Sequence, residues 1–430
     1  MASRALRRRS TTAVGVYAAT VLGVGTTIAA TKILGSDAYA QFAVVFSIVG
    51  FFQMLLDLTV DEALIKYGFR YVTAEDWGRL RRLFEVALAF KLVGGVLALI
   101  AIAVLAPFSH AIWHHQHGLV APMLVGAFVP LAQATETVAG CALILREKLH
   151  VRAWFYTVGM GARLAGTAIG ATQGVVGAMV GLLVGQVVSS LAISSTGWRA
   201  WRAFPLHESR PLGEDSADLR RFVMSSTAAT TLTSGRATLG TWLIGAIAPF
   251  RQAAYFRNAQ APLTALAAIS SPARLVLLAE QTADYERGDR DRVRRLLVRY
   301  VLFSALVMCV VVPAGWFLMP WAMEVAYNRD FRRHATEAGR IVLFVGALQF
   351  VSGFSKTLPV SIGRPNLRVV SHGIEVVVFI PLLVVFGRLW GATGGALAML
   401  VSTGVFCVVW AWLLVRLRDA LANVVPAEVA

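Results

Sequence analysis

Acidic side chains are scarce in this chain. Its 430 residues hold 24 Asp and Glu against 40 Lys and Arg, and charged residues of every kind make up only 15%. That is too little charge to cover an ordinary soluble surface, where it averages roughly 25% of all residues. Cysteine is rarer still. Cys141, Cys309 and Cys407 all lie in apolar runs, which excludes a disulfide framework and a CxxC metal site. No Walker A run, GxSxG or HExxH occurs, so the sequence offers neither ATP hydrolysis nor a hydrolase centre. The net charge of +16 would suit a nucleic-acid partner if it lay on a water-exposed face with stacking aromatics. Here it falls between long apolar runs, which excludes that reading.

Apolar side chains fill what remains. They make up 57% of the chain, and its 37 glycines raise the share to about 66%, against roughly 45–50% in soluble domains. No soluble core hides that much apolar surface, but a bilayer does. Twelve mostly apolar windows are long enough to span one: 11–31, 40–59, 84–106, 119–144, 153–170, 174–195, 222–248, 254–273, 298–319, 340–360, 369–387 and 392–415. The first follows Arg4, Arg7, Arg8 and Arg9. It is too long for a signal-peptide core and is read as an uncleaved helix. With the amino terminus in the cytoplasm, 28 basic residues fall on the cytoplasmic side, 7 on the outer side and 5 inside spans. That asymmetry predicts twelve spans with both termini inside.

The chain also repeats itself. Arg79-Leu80-Arg81-Arg82-Leu83 precedes the third window and Arg292-Val293-Arg294-Arg295-Leu296 the ninth, 213 positions later. Arg146-Glu147-Lys148-Leu149 and Arg364-Pro365-Asn366-Leu367 are 218 apart, and Gly170-Ala171-Thr172-Gln173-Gly174 and Gly391-Ala392-Thr393-Gly394-Gly395 are 221 apart. The expected architecture is therefore an all-α integral membrane protein of about 12 transmembrane helices, in two six-helix lobes related by internal duplication. The lobes are 1–196 and 222–430, joined by a polar cytoplasmic linker at 197–221. Such paired lobes suit alternating access.

Several short motifs sit at the helix ends of this pattern. They are Lys32-Ile33-Leu34-Gly35 with Tyr39, Leu55-Leu56-Asp57-Leu58 running to Ala63-Leu64-Ile65-Lys66-Tyr67, Asn328-Arg329-Asp330-Phe331, and the Gly-Ala-Thr-x-Gly openings. In these residues the chain resembles the polysaccharide and O-antigen lipid-linked oligosaccharide flippases (Wzx-type) of the MOP exporter superfamily, over essentially its whole length. It departs from them at Ala40 and Thr59, where the family often has Gly. The resemblance implies a bacterial inner-membrane protein, not an enzyme, that flips an undecaprenyl-type lipid-linked glycan from the cytoplasmic to the outer leaflet. It also implies lipopolysaccharide-type polymerase and glycosyltransferase partners, and no cofactor beyond an H+ or Na+ coupling ion. Anionic headgroups are the expected lipid partners of the basic cytoplasmic face.

Five basic residues lie inside the windows: Lys91, Arg163, Arg236, Arg257 and Lys356. At a helix centre each costs roughly 2.5–3.5 kcal/mol on insertion scales, so such residues face a cavity, a counter-ion or an interface. One reading is a basic cavity whose guanidinium forks hold the pyrophosphate or acidic sugars of the cargo. The other is an ion pair with Glu136 or Glu375, or snorkelling, which suits Lys91 and Lys356 best. The repeat places Gly23, Val44 and Pro381 opposite Arg236, Arg257 and Arg163, so the scaffold does not require arginine there. Glu136, Glu375, Asp57 and Asp61 are the candidates for ion coupling; Asp57 and Asp61 could instead pair with Lys66 and Arg70.

Two motifs imitate other chemistry. His110-Ala111-Ile112-Trp113-His114-His115-Gln116-His117 is dense in histidine but lacks acidic or Cys partners for a metal. Asp289-Arg290-Asp291 resembles a metal-sugar-nucleotide motif, yet its loop is too short for a nucleotide-binding domain. The rival functions are a membrane-embedded glycan polymerase or ligase, a small-molecule antiporter of the same superfamily, and a non-transporting scaffold.

Overall fold

The computed structural model describes residues 2–56, 60–113, 118–205, 207–286, 289–362, 364 and 366–422. The chain divides into two compact units, Met1–Ala246 and Ile247–Ala430. That division falls at the last residue of the helix carrying the seventh window, later than the expected linker at 197–221.

The first unit holds α1 (Ala2–Leu56), α2 (Val60–Thr73), α3 (Trp77–Leu105), α4 (Ser109–Ile112), α5 (Val120–Gly126), α6 (Phe128–Leu145), α7 (Leu149–Ala171), α8 (Gly174–Arg202) and α9 (Asp215–Ile247). Within it α7 packs along α8 and α1, and α6 packs between α8 and α3. The second unit holds α10 (Arg251–Ala259), α11 (Ala261–Glu286), α12 (Arg290–Ala326), α13 (Arg329–His334), α14 (Thr336–Val351), α15 (Leu358–Ser361) and α16 (Asn366–Ala422). Here α14 is central, packed on α16, α12, α11 and α10. No strand occurs among the described residues.

Among the described residues each of the twelve expected windows is mostly helical, but they do not lie on twelve separate helices. The first two share α1 and the last two share α16, each broken at one glycine. Gly35 has φ 74° and ψ 176°, and Gly391 has φ 54° and ψ −126°. Both lie where a side chain is strained, so a single glycine can separate two spans without a loop. Seven helical stretches are long and apolar enough to cross a membrane: Tyr17–Thr73, Trp77–Ile112, Val120–Leu145, Gly174–Arg202, Arg290–Ala326, Thr336–Lys356 and Asn366–Leu417. Between them they overlap nine of the twelve windows. The other three, on α7, α9 and α10–α11, are more polar. They carry Arg163, Arg236 and Arg257.

The outer surface is as apolar as a core. Along α12, Leu302, Phe303, Leu306, Val310 and Phe317 are between 64% and 79% exposed. A contiguous face of this kind is rare on a soluble protein and is matched by lipid hydrocarbon.

Helix ends explain the family-like motifs. Asn328 caps α13, its Oδ1 accepting from the backbone N–H of Asp330 at 2.9 Å and of Phe331 at 3.1 Å. Phe331 is then buried, and Asp330 accepts from the Tyr255 hydroxyl at 2.8 Å. Asp289 of the metal-like motif is also a cap: it accepts from Arg292 N–H at 3.0 Å. Asp76 does the same for Arg79 N–H at 3.2 Å. The two caps have nearly identical backbone angles (φ −84°, ψ 74° and φ −81°, ψ 74°) and lie 213 positions apart, as the sequence repeat requires. Behind each cap the residue between the arginines, Leu80 or Val293, is buried in its unit's apolar cluster.

The glycine stripe Gly177, Gly181, Gly185 seats α8 directly on α7. A Cβ on Gly181 would lie 1.9 Å from the Gly166 carbonyl oxygen, and one on Gly185 would lie 2.6 Å from Arg163 Cα. The stripe packs two helices within one unit, as the small-residue pattern allows.

Substituting Gly35 or Gly391 by valine forces a β-branched residue into these conformations, at a cost of about 1–3 kcal/mol each. The expected outcome is a lowered thermal unfolding midpoint of the detergent-solubilised protein for both variants. An unchanged midpoint would show that the breaks do not need glycine.

Candidate functional site

One polar cluster of the first unit is built from α1, α6, α7 and α8. Arg163 lies half-buried on α7. Its Nη2 donates to Gln133 Oε1 at 3.5 Å, and its Nη1 approaches Met160 Sδ at 3.8 Å. Gln133 Oε1 also accepts from the Gln53 amide. Arg163 Nε is buried with no hydrogen-bond partner. Among the described residues, no carboxylate lies within ion-pair distance of this guanidinium. The expected alternative, a pair with Glu136, is therefore not formed.

Glu136, one helical turn beyond Gln133 on α6, is held differently. Its Oε2 accepts from Gln186 Nε2 at 2.7 Å, Ser190 Oγ at 3.0 Å and Ser189 Oγ at 3.4 Å. Gln186 Nε2 also reaches Ser190 Oγ at 2.9 Å. All of these donors are neutral and sit on α8, and Glu136 is only 7% exposed. Hydrogen bonds from uncharged groups can hold a carboxylate inside a span, and they leave its charge uncompensated.

Lys91 overturns the snorkelling expectation. Its side chain is fully enclosed, with Nζ 4.0 Å from Asp61 Oδ1. The first turn of α2 brings that carboxylate inward, so the charge is met in place. Neither expected partner of Asp61 takes it: Arg70 pairs with Asp215 at 3.0 Å, and Lys66 sits over the Phe222 ring at 4.6 Å. Asp57 lies outside the described residues, as do His114, His115 and His117. Arg236 is buried on α9.

In the second unit, Arg257 is half-buried near the end of α10. Lys356 is half-buried too and ends a 3₁₀ turn at Ser352–Lys356. It borders a cavity of about 20 Å³ with Ser270 and Gln349. That space suffices for one water, not a sugar. Glu375 is buried on α16, where its Oε1 accepts from Thr403 Oγ1 at 3.1 Å. Its Oε2 lies 3.0 Å from His372 Nδ1, and the His372 ring stacks on Phe406 at 4.7 Å. Glu324, Asp330 and His334 pair with one another's neighbours at helix ends: Glu324 with Arg329 and Arg332, and Asp330 with His334. Among the described residues, no three His, Cys, Asp or Glu side chains converge as a metal would require.

The sequence reading missed His372, Gln53, Gln133 and Gln186. His372 carried a usable signal, its i,i+3 spacing from Glu375 inside one span. The three glutamines carried only their polarity, and weighing charges alone passes over neutral amides.

The overall architecture is shared with solved membrane transporters. The chain matches an inward-facing multidrug-resistance MATE transporter of the MOP superfamily at TM-score 0.75 and 15% identity, covering 94% of this chain and 95% of that one. It matches a lipid II flippase, MurJ, in an inward closed conformation at 0.72 and 12%, covering 95% and 87%. A third match is a MOP-superfamily transporter from Pyrococcus furiosus described as having a binding pocket of reverse polarity, at 0.68 and 14%, covering 97% and 96%. The fold is therefore that of MOP-superfamily transporters, and the protein is an integral membrane protein. No curated protein sequence matches the chain. Residues 30–329 match the family model of polysaccharide biosynthesis proteins, and the chain belongs to that family.

Gln186→Leu removes two hydrogen bonds around a buried carboxylate. Bonds to charged groups are worth about 1.5–3 kcal/mol each, so a clear loss of stability is expected in thermal unfolding. A midpoint equal to that of the parent protein would mean that Glu136 is not held by this network.

Proposed function

We propose that this protein is a flippase that moves an undecaprenyl-type lipid-linked oligosaccharide from the cytoplasmic to the outer leaflet of the bacterial inner membrane, by alternating access, with both termini cytoplasmic. The observation that carries the reading is Arg163. A guanidinium half-buried on α7 with amide and thioether neighbours has no carboxylate within ion-pair distance among the described residues, and a cation so placed suits an anionic cargo. A pyrophosphate or an acidic sugar presents the paired oxygens that a guanidinium fork binds best. Membership of a polysaccharide biosynthesis family supports a glycan as the rest of that cargo. Arg236 in the first unit, and Arg257 and Lys356 in the second, are the further residues proposed to bind substrate. Lys91, enclosed with Asp61, is the weakest of the five.

Glu136 and Glu375 are the proposed carriers of the coupling ion, H+ or Na+. Each is buried within a span and accepts hydrogen bonds there, Glu136 from Gln186, Ser189 and Ser190 and Glu375 from Thr403 beside His372, and a carboxylate so held inside a membrane is a candidate to take up a cation. Polysaccharide polymerase and glycosyltransferases are the proposed functional partners.

Reconstitution into liposomes with a fluorescent undecaprenyl-pyrophosphate oligosaccharide tests the reading, scored as the fraction of label moved out of reach of an external quencher. Movement is expected with the parent protein. Arg163→Ala is expected to slow it by tenfold or more, the equivalent of about 1.5–3 kcal/mol for a charge-assisted contact, with Arg163→Lys in between. Full activity in a correctly inserted Arg163→Ala protein would remove Arg163 from the site, and no movement of any lipid-linked glycan by the parent would sink the flippase reading.

Coupling is tested separately. Imposing a pH or Na+ gradient across the same liposomes should accelerate transport by the parent, and Glu136→Gln or Glu375→Gln should abolish that acceleration. Undiminished acceleration in both variants would exclude these carboxylates as carriers.

A further inference from the structure

The starts of α3 and α12 share a motif, a cap geometry and a buried apolar anchor, yet their arginines meet different fates. On α3, Arg81 Nε donates to Glu85 Oε1 at 3.0 Å, and Arg82 lies 3.7 Å from Glu85 Oε2. Arg81 also donates to the His207 carbonyl at 3.2 Å, and Ser209 Oγ completes the carboxylate at 2.9 Å. That basic cluster is satisfied within its own unit.

On α12 the matching carboxylate is missing. Val298 stands where the repeat places Glu85, and it is 49% exposed. Arg299 adds a third guanidinium where α3 has Val86. Among the described residues, none of Arg294, Arg295 and Arg299 lies within ion-pair distance of an acidic side chain, and all three are exposed. Arg292, the first arginine of the motif, does pair, with Asp284 at 3.3 Å.

These three arginines and Asp291 lie at one end of an open strip on the surface of α12, and all of the residues that line it belong to that one helix. The strip continues in apolar side chains, Val298, Leu302, Phe303 and Leu306. Positions 295, 299, 302 and 306 recur at one-turn intervals on a single helix face. From Arg299 to Leu306 the helix rises about 10 Å, so the apolar strip lies directly deeper in the bilayer than the charges. Two demands are thus met on one face. Guanidinium groups at headgroup depth suit a phosphate, and the adjoining strip suits a hydrocarbon chain.

We propose that this face of α12 is a binding site for an anionic membrane phospholipid, with its phosphate on Arg294, Arg295 and Arg299 and an acyl chain along Leu302, Phe303 and Leu306. The site is independent of the cargo and of the flippase reading. It accounts for the loss of internal pairing on α12, because a lipid phosphate takes the place of Glu85. The basic excess at this helix end then serves as a specific lipid contact as well as an orientation signal.

The test titrates the full-length protein in a neutral detergent with phosphatidylglycerol or phosphatidylcholine of the same chain length and counts bound lipid by native mass spectrometry. Each basic residue near an anionic headgroup is worth about fivefold in affinity. The parent protein should therefore prefer phosphatidylglycerol by about tenfold or more. The triple variant Arg294→Gln, Arg295→Gln, Arg299→Gln should lose that preference. So should Val298→Glu, which removes no arginine and restores on α12 the carboxylate that α3 has. Arg81→Gln with Arg82→Gln, whose side chains are already paired, should leave the preference within about twofold. Glycerol 3-phosphate, which has the phosphate but no chain, should not displace the lipid. No preference in the parent, an undiminished preference in both α12 variants, an equal loss in the α3 control, or displacement by glycerol 3-phosphate at lipid concentrations would each overturn the proposal.

Discussion

A bilayer interior gives a polar group nothing to bond to, so every N–H, carbonyl and charge inside it must find its partner in the protein. The rest of this structure depends on that constraint. It makes the described chain helical throughout its spans, because a helix satisfies its backbone within one segment. It also limits how two spans can be joined: where no loop intervenes, Gly35 and Gly391 turn the chain within the length of one residue. At Gly391 the freed backbone is recaptured at once, with Ala392 N–H donating to the Gln252 side chain at 2.9 Å.

The same constraint sorts the side chains. Apolar residues on α3, α12 and α16 face outward freely, since lipid is as good a solvent for them as a core. Polar ones turn inward and form small closed groups: Glu136 with Gln186 and two serines, Lys91 with Asp61, Glu375 with His372 and Thr403. Arg163 stands apart from these. Its neighbours are amides and a thioether, which solvate the guanidinium partly and do not cancel its charge. That is why the proposed cargo site is centred on it.

Much of this was legible in the residues alone. Run length and hydropathy located helix in the described part of each of the twelve windows, and the windows that carry Arg163, Arg236 and Arg257 are the more polar ones. The Arg-x-Arg-Arg repeat was legible as a spacing, and the matched caps at Asp76 and Asp289 give it a local structural counterpart. The number of continuous helices was not legible, because hydropathy has no signal for a break one residue wide. Nor was the pairing of charges. Lys91 looked able to reach an interface by its length, and only the approach of α2 shows that Asp61 meets it first. Neutral amides passed unnoticed because a glutamine in an apolar run costs too little to stand out, although Gln133 and Gln186 organise the polar cluster of the first unit.

The sequence by itself determined the solvent of this protein, the class of its fold and the few polar positions that had to be explained. Those follow from composition and periodicity, which are properties of single segments. The tertiary structure decided which partners those positions find inside the protein. Compensation of a charge depends on what another helix brings within about 4 Å, and that distance has no trace in the order of residues. Glu85 and Val298 illustrate the division: the sequence sets them at equivalent places, and only the packed helices show that one closes a basic cluster and the other leaves it open.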